Sequence, residues 1–177
     1  LTIHGSKNGV VAKKPCTLTN LIIMECNWSG VEAMAPCTLT NLKIMQCRNG
    51  VKAMAPCTLT DLEIMQCRTG VKAKASCTLT DINIMQCKKN GVEVYPPSDT
   101  HVVLNCTNIN VSGCKKSGIH ASGYNGGYNP VWGLTISQRT STIILRGNRT
   151  LITGNCLGRY IYMYGLKAPY SKIQIVK

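Results

Sequence analysis

The chain has 177 residues, 44% of them hydrophobic, which is enough for one domain with a sizeable core. It carries 20 basic and 7 acidic residues, and its formal net charge of +13 favours a polyanionic partner: nucleic acid, acidic polysaccharide or an acidic protein surface. No apolar run is long enough to span a membrane and no signal peptide is recognisable, so we expect no membrane partner. Because Leu1 already begins a strand-like segment, we expect the chain to be part of a longer or processed protein.

The charge is unevenly distributed along the chain. All 7 carboxylate side chains lie at or before Asp99, whereas residues 100–177 contain only Lys and Arg as charged residues. The C-terminal region is therefore the predicted polyanion contact, and the alternative is an ordinary solvated basic surface.

An internal repeat dominates the first two thirds of the sequence. A half-copy, NGVVAKKP at 8–15, leads into four copies with a period of 20 or 21 residues. The full copies begin at Cys16, Cys37, Cys57 and Cys77. A divergent fifth copy covers residues 105–123 and aligns on Cys114. A repeat of this length predicts stacked units, each of which buries its apolar face against the next.

Each copy has the pattern of extended chain. The segment C-T-L-T alternates apolar and polar residues, an Asn or Asp follows as a turn former, and L-x-I resumes the alternation. A short polar stretch then ends in the glycine that opens G-V-x-A or G-V-x-V, and we expect this glycine to supply a permissive φ at a bend. Three short strands and three bends per copy predict an all-β, right-handed parallel β-helix (solenoid) with coils of about 20 residues. A leucine-rich repeat would need an L-x-x-L-x-L pattern, which does not occur.

Stacking of the copies predicts columns of identical buried residues, with Leu39, Leu42, Ile44 and Val51 as one set of members. The 11 cysteines fall mainly into two such columns, one headed by Cys16 and the other by Cys26. Parallel in-register strands are a poor frame for disulfide geometry, so we favour buried free thiols over bridges. Free thiols suit an intracellular or virion-assembly compartment. Four N-x-S/T sequons point the other way, but such short motifs also arise by chance.

The remaining sequence departs from the repeat. Residues 1–123 are interpreted as regular β-helix coils, and 124–177 as a lateral loop followed by irregular final coils or a C-terminal cap within the same domain. The loop is rich in Gly, Asn and Tyr, and short β-like runs follow it. A cap would cover the open end of the core, where an exposed edge invites aggregation.

The runs of the form N-L-x-I-x-x-C-x-x-G-V, such as Asn41 to Val51, resemble the pectin-lyase-like right-handed β-helix superfamily. The resemblance covers residues 1–123 clearly and the remainder loosely. It implies a β-helix fold. The superfamily includes pectate lyases, polygalacturonases, phage tailspikes and capsid-associated proteins, so the resemblance does not decide the activity.

Enzymatic activity finds little support in the motifs. The N-T-D, D-D, G-H-G and R-I-K motifs of polygalacturonases are absent, so clustered acid and base carboxylates are not expected. No Asp cluster suits calcium, no Cys/His spacing suits zinc, and we expect neither a metal site nor a cofactor. A calcium-free polysaccharide lyase that uses Lys115, Lys116, His120 or Arg139 stays an alternative, although the two lysines also fit ordinary turn positions.

A Thr-x-Thr array on the outer face of the coils suggests another alternative. It consists of Thr17, Thr19, Thr38, Thr40, Thr58, Thr60, Thr78 and Thr80. Ice-binding β-solenoids carry arrays of this kind, but threonine is also simply a favourable residue on a strand surface.

Aromatic and basic residues of the C-terminal region form the candidate ligand site. They are Tyr124, Tyr128, Trp132, Arg139, Arg146, Arg149, Arg159, Tyr160, Tyr162 and Tyr164. Aromatic faces with basic neighbours suit sugars, a nucleic-acid backbone or a protein partner. A structural role in a cap or subunit contact is the competing interpretation.

The sequence therefore favours a non-enzymatic structural or binding β-helix, associated with a virion or capsid or serving surface attachment. We expect it at a virion or cell surface, with protein partners in a larger assembly or an acidic polysaccharide as ligand. A homotrimer is possible by analogy with β-helix fibres, and nucleic-acid binding lacks a supporting motif. The alternative functions are a polysaccharide lyase acting on an acidic glycan and an ice-binding protein.

Overall fold

The computed structural model describes residues 1–97 and 100–122, the backbone of six later strands, and the side chain of Arg146. Its strands are β1 Thr2–His4, β2 Val10–Ala12, β3 Cys16–Met24, β4 Ser29–Ala33, β5 Cys37–Met45, β6 Asn49–Ala53, β7 Cys57–Met65, β8 Thr69–Ala73, β9 Cys77–Met85, β10 Val92–Val94, β11 Thr100–Ser112, β12 Ile119–Ser122, β13 Tyr128–Asn129, β14 Leu134–Thr135, β15 Arg139–Arg146, β16 Leu151–Thr153, β17 Ile161–Tyr164 and β18 Ser171–Ile175. The described residues form no helix, and hence none that could cross a membrane.

All the strands except β13 and β14 form two parallel sheets, which enclose a continuous core. The long strands stack in the order β1-β3-β5-β7-β9-β11-β15-β18, with β16 also pairing β11. The short strands stack in the order β2-β4-β6-β8-β10-β12-β17. Equivalent residues of successive copies lie opposite each other, as Cys37 does opposite Cys57. The all-β parallel solenoid predicted from the repeat is therefore confirmed.

The first half of each coil differs from the prediction of two separate strands. It is one nine-residue strand, bent at a residue with a left-handed backbone, such as Asn41 with φ 53°. This additional residue shifts the alternation of side chains by one position, so that Leu42 faces the core just as Leu39 does. Asn and Asp tolerate the left-handed region, which explains why Asn20, Asp61 and Asp81 occupy the same position in the other copies.

The predicted inward columns are buried. Leu39, Leu42, Ile44 and Val51 are all in the core, as are their equivalents in the third and fourth copies. In the first copy Leu18 and Leu21 are only partly buried and pack against the same core.

The cysteines follow the prediction of buried thiols. All ten described cysteines are free, and nine are buried, the exception being Cys16, which is half-buried. Cys156 lies outside the described residues.

The prediction that the repeated glycines provide a positive φ is wrong. The only described glycines in the left-handed region are Gly5 and Gly113. At Gly50 an added Cβ would lie 2.6 Å from the carbonyl oxygen of Gly70 and 2.5 Å from Cγ2 of Ile64. Gly30, Gly70 and Gly91 meet the equivalent atoms of the next coil. Glycine is therefore needed because the backbone of one coil approaches the next too closely for any side chain.

The C-terminal strands extend both sheets. β15 pairs with β11 and β18 with β15 in the long-strand sheet, and β17 pairs with β12 in the short-strand sheet, all in parallel. Within the segment predicted as a lateral loop, β13 pairs antiparallel with β14. The boundary at residue 123 and the irregular cap stay predictions, since much of 123–177 lies outside the described residues.

Candidate functional site

One corner of the solenoid carries a ladder of glutamines. Gln46, Gln66 and Gln86 adopt left-handed φ values of 56°, 54° and 54°, which directs their side chains outward while the following cysteine turns into the core. Gln46 Nε2 donates to Gln66 Oε1 at 3.3 Å, and Gln66 Nε2 donates to Gln86 Oε1 at 3.2 Å. These side-chain hydrogen bonds hold the amides in a row along the solenoid axis.

A ladder of cations runs beside the glutamines. Arg48, Arg68, Lys88 and Lys115 each follow a buried cysteine directly, so the repeat brings them to the same corner. Backbone hydrogen bonds between coils set their positions: Arg68 N donates to Cys47 O at 3.0 Å and Lys88 N donates to Cys67 O at 2.8 Å. Lys89 and Lys116 add a second basic residue in the later coils. The cations therefore recur at the coil spacing of about 4.8 Å.

Between the two ladders lies an axial groove of about 1050 Å³. We call it the basic groove. Its lining residues are Glu25, Cys26, Asn27, Gln46, Cys47, Arg48, Gln66, Arg68, Gln86, Lys88, Lys89 and Lys115. Glu25, at one end, is the groove's only carboxylate among the described residues, and it pairs with His4 at 3.1 Å.

The groove's cations lack carboxylate partners. The ion pairs among the described residues are His4–Glu25, Lys43–Glu63, Lys52–Glu32 and Lys72–Glu93, and none involves Arg48, Arg68, Lys88, Lys89 or Lys115. Neighbouring like charges about 4.8 Å apart repel each other by about 1 kcal/mol even in water. A bound polyanion would relieve that repulsion, so the arrangement is electrostatically suited to an elongated anionic ligand.

An exposed tryptophan interrupts the cation ladder in the first full coil. Trp28 occupies the position equivalent to Arg48, is 48% exposed, and has Lys7 Nζ 5.8 Å and Arg48 Cζ 5.2 Å from its ring centroid. Both distances suit cation–π contacts, which hold the indole in place. The ring therefore presents a fixed aromatic edge beside the basic groove.

The predicted turn residues Asn and Asp lie at the bend of each long strand, and some of them are joined by side-chain hydrogen bonds. Asn41 Nδ2 donates to Asn20 Oδ1 at 2.7 Å, and Asn108 Nδ2 donates to Asp81 Oδ1 at 3.0 Å. Within the described part of the chain, no group of three or more His, Cys, Asp or Glu side chains is arranged to hold a metal ion.

The thiol columns are chemically restrained by burial and by one another. Burial raises the pKa of Cys106 to about 12. The side-chain contact between the two thiols lowers the pKa of Cys57 and raises the pKa of Cys77. Cys57 and Cys77 are both buried, and both border an open groove of about 590 Å³ that Thr58 and Thr78 also line.

The predicted Tyr/Arg site is only partly visible. Arg146 is exposed and its Nη1 donates to Asn105 Oδ1 at 3.2 Å. Arg139 lies in the long-strand sheet opposite Thr100, whereas Tyr162 and Tyr164 lie in the short-strand sheet opposite His120 and Ser122. Tyr128 belongs to β13. Tyr124, Trp132, Arg149, Arg159 and Tyr160 lie outside the described residues, so the cluster stays a prediction.

Lys115, His120 and Arg139, which were considered for a lyase, lie in three different parts of the solenoid. Lys115 lines the basic groove. His120 lies on β12 in the short-strand sheet, where its Nδ1 is 3.2 Å from Asn90 Nδ2 and burial lowers its pKa. Arg139 begins β15 in the long-strand sheet.

Sequence reasoning missed the basic groove, although the signal was present in the repeat. Alignment of the copies on their second cysteine places a basic residue directly after it in every copy from the second onward, in C-R-N-G, C-R-T-G, C-K-K-N-G and C-K-K-S-G. Lys115 and Lys116 also fit ordinary turn positions, and the uneven charge alone favours a polyanion contact in the C-terminal region.

Comparison with known proteins gave no relatives. No protein-family model matches the chain, and no match was found among the curated proteins or the solved structures.

Proposed function

We propose that the chain is a non-enzymatic attachment module that binds a linear acidic polysaccharide along the basic groove. The observation that carries the proposal is the row of Arg48, Arg68, Lys88 and Lys115, which recur coil by coil and pair with no carboxylate in the described part of the chain. A rigid ladder of this kind costs little conformational rearrangement on binding, because parallel strands already fix its backbone.

The composition of the groove favours a polysaccharide over single-stranded nucleic acid. Proteins that bind single strands stack the bases on successive aromatic side chains. Among the described residues, the lining of the basic groove contains no aromatic side chain, and Trp28 lies at its side rather than within it. Instead, the amides of Gln46, Gln66 and Gln86 offer both donors and acceptors, which suits sugar hydroxyl groups.

The biological setting belongs to the same proposal. We extend the proposal to membership of the pectin-lyase-like superfamily, which the N-L-x-I-x-x-C-x-x-G-V runs and their parallel solenoid resemble, and to a place at a virion or cell surface. Protein partners and a homotrimer would add avidity by presenting several grooves to one glycan.

Binding to defined polymers tests the proposal. The full chain is titrated by calorimetry with polygalacturonate, a neutral glucan and single-stranded oligothymidylate at several salt concentrations. We expect binding to polygalacturonate that weakens with salt, as charge neutralisation requires, and none to the glucan. Tighter binding to the oligonucleotide would overturn the choice of ligand class, and absence of polyanion binding would overturn the proposal.

Charge-neutralising variants locate the binding site. The double variant Arg68→Gln and Lys88→Gln removes two groove cations, and we expect affinity to fall between about fivefold and thirtyfold, from about 0.5 to 1 kcal/mol for each exposed ion contact. The matched control, Lys13→Gln and Lys14→Gln, removes two exposed charges outside the groove and should bind as the wild type does. Equal losses in both variants would refute the groove. Release of unsaturated uronate, followed by its absorbance, would instead support the lyase alternative.

A further inference from the structure

The outer face of the first half of each long strand differs from the rest of this basic protein. Two columns of threonines cross it in exact register through β3, β5, β7 and β9. The columns are Thr17, Thr38, Thr58 and Thr78, and Thr19, Thr40, Thr60 and Thr80. We call this surface the threonine face. All eight side chains are exposed or half-exposed, so both columns lie at the surface.

The two columns of the threonine face contain no charged residue in β3, β5, β7 and β9. In β11 the two columns continue as Asn105 and Thr107, and the first charged residue is Arg146 of β15, opposite Thr107. The other outward columns contain charges in these same coils, such as Lys43 and Glu63 on the second half of the long strands. Because the chain has a net charge of +13, an uncharged surface is a distinguishing feature, and it sets the threonine face apart from the basic groove.

The threonine hydroxyls are not used within the protein. Among the described residues, none of the eight forms a side-chain hydrogen bond with another protein group, and none is a buried unsatisfied group. The branched β-carbon restricts rotation about χ1, and the parallel strands fix the backbone beneath. Hydroxyl and methyl groups therefore repeat about every 4.8 Å across the coils and about every 6.6 Å along the strand.

We propose that the threonine face binds ice. A surface lattice of water presents oxygen atoms in regular rows with repeats of this order, and a rigid row of hydroxyls can join such rows by hydrogen bonds. A charged side chain would hold its own hydration shell and interrupt the lattice, so the absence of charge is essential. A polyanion finds no cation on this face, and a protein partner finds no large apolar side chain in either column.

The inference is tested by two variants in one strand. Thr58→Tyr places a bulky ring in the middle of the threonine face, whereas Glu63→Tyr makes the same substitution on the outward side of β7 beyond the bend. Inhibition of ice recrystallisation and shaping of single ice crystals are measured for the full chain. We expect activity in the wild type and in Glu63→Tyr, and loss of activity in Thr58→Tyr.

Controls separate a local effect from unfolding and from the polyanion site. Circular dichroism should show the same thermal transition in both variants, and both should bind polygalacturonate as the wild type does. If Thr58→Tyr unfolds, Thr38→Tyr in β5 serves in its place. Absence of ice shaping by the wild type, or full activity of a folded threonine-face variant, would overturn the inference.

Discussion

The substitution Gly70→Ala tests whether close packing between coils, rather than backbone freedom, explains the repeated glycines. Gly70 is buried and its φ lies outside the left-handed region, so alanine can adopt its backbone conformation. Conformational entropy alone predicts that the substitution stabilises the protein by up to about 1 kcal/mol, since it restricts the unfolded chain.

The contacts of the added methyl group oppose this gain. A Cβ on residue 70 would lie 2.5 Å from the carbonyl oxygen of Gly91 and 2.6 Å from Cγ2 of Ile84. The Gly91 oxygen cannot move away freely, because it accepts a hydrogen bond from Val71 N at 2.9 Å. The coils must therefore separate locally, and overpacking of this kind costs about 3 kcal/mol.

The net expectation is a destabilisation of about 2 kcal/mol, the overpacking cost less the entropic gain. For a chain of this size the melting temperature should fall by about 4–8 °C, measured by circular dichroism. The matched control is Gly113→Gln, because Gly113 has φ 63° at a position where the preceding coil has Gln86 with φ 54°. That variant should cost about 1 kcal/mol, all of it from the left-handed backbone, because a Cβ at residue 113 would meet no atom closer than 3.5 Å. A neutral or stabilised Gly70→Ala protein would refute the packing argument.

Two further predictions concern the Asn ladder and the buried thiols. Asn41→Ala should lower the free energy of unfolding, measured in urea, by about 1–2 kcal/mol, because alanine disfavours the left-handed backbone and the hydrogen bond to Asn20 is lost. Asn41→Gly should cost less, because glycine tolerates the left-handed region. Equal costs of the two substitutions would contradict the role of φ. Cys106, with a pKa raised from 9.0 to about 12, stays protonated in the folded chain while the unfolded chain ionises, so stability should fall as pH rises from 9 towards 12. The fall should be shallower in Cys106→Ala, and identical pH profiles of the two proteins would contradict the shift.

Much of the fold could be predicted because every copy of the repeat contains the same pattern of core residues. Leu39, Leu42 and Ile44 recur at equivalent places in each copy, and only stacked coils can bury all the copies at once. The position of the bend at Asn41 could be predicted from its residue type. The continuity of the strand through the bend could not, since a bent continuous strand and two separate strands share the same apolar pattern.

The candidate site was less accessible to sequence reasoning. Arg48 and Arg68 are residue types that are common in exposed turns. A turn in the sequence does not indicate which side chains will line the same groove once the chain has folded. The threonine columns could be identified from the C-T-L-T repeats, but their charge-free continuation through Asn105 and Thr107 depends on the register of β11.

The sequence by itself determined the period, the extended backbone and the identity of the buried columns, because alternation and repetition are local properties of the chain. Tertiary structure alone decided the role of the glycines and the union of the Gln and basic ladders into one groove. Both depend on distances between coils about 20 residues apart, such as the 2.6 Å from a Cβ on residue 50 to the Gly70 oxygen. Those distances exist only once the coils have stacked.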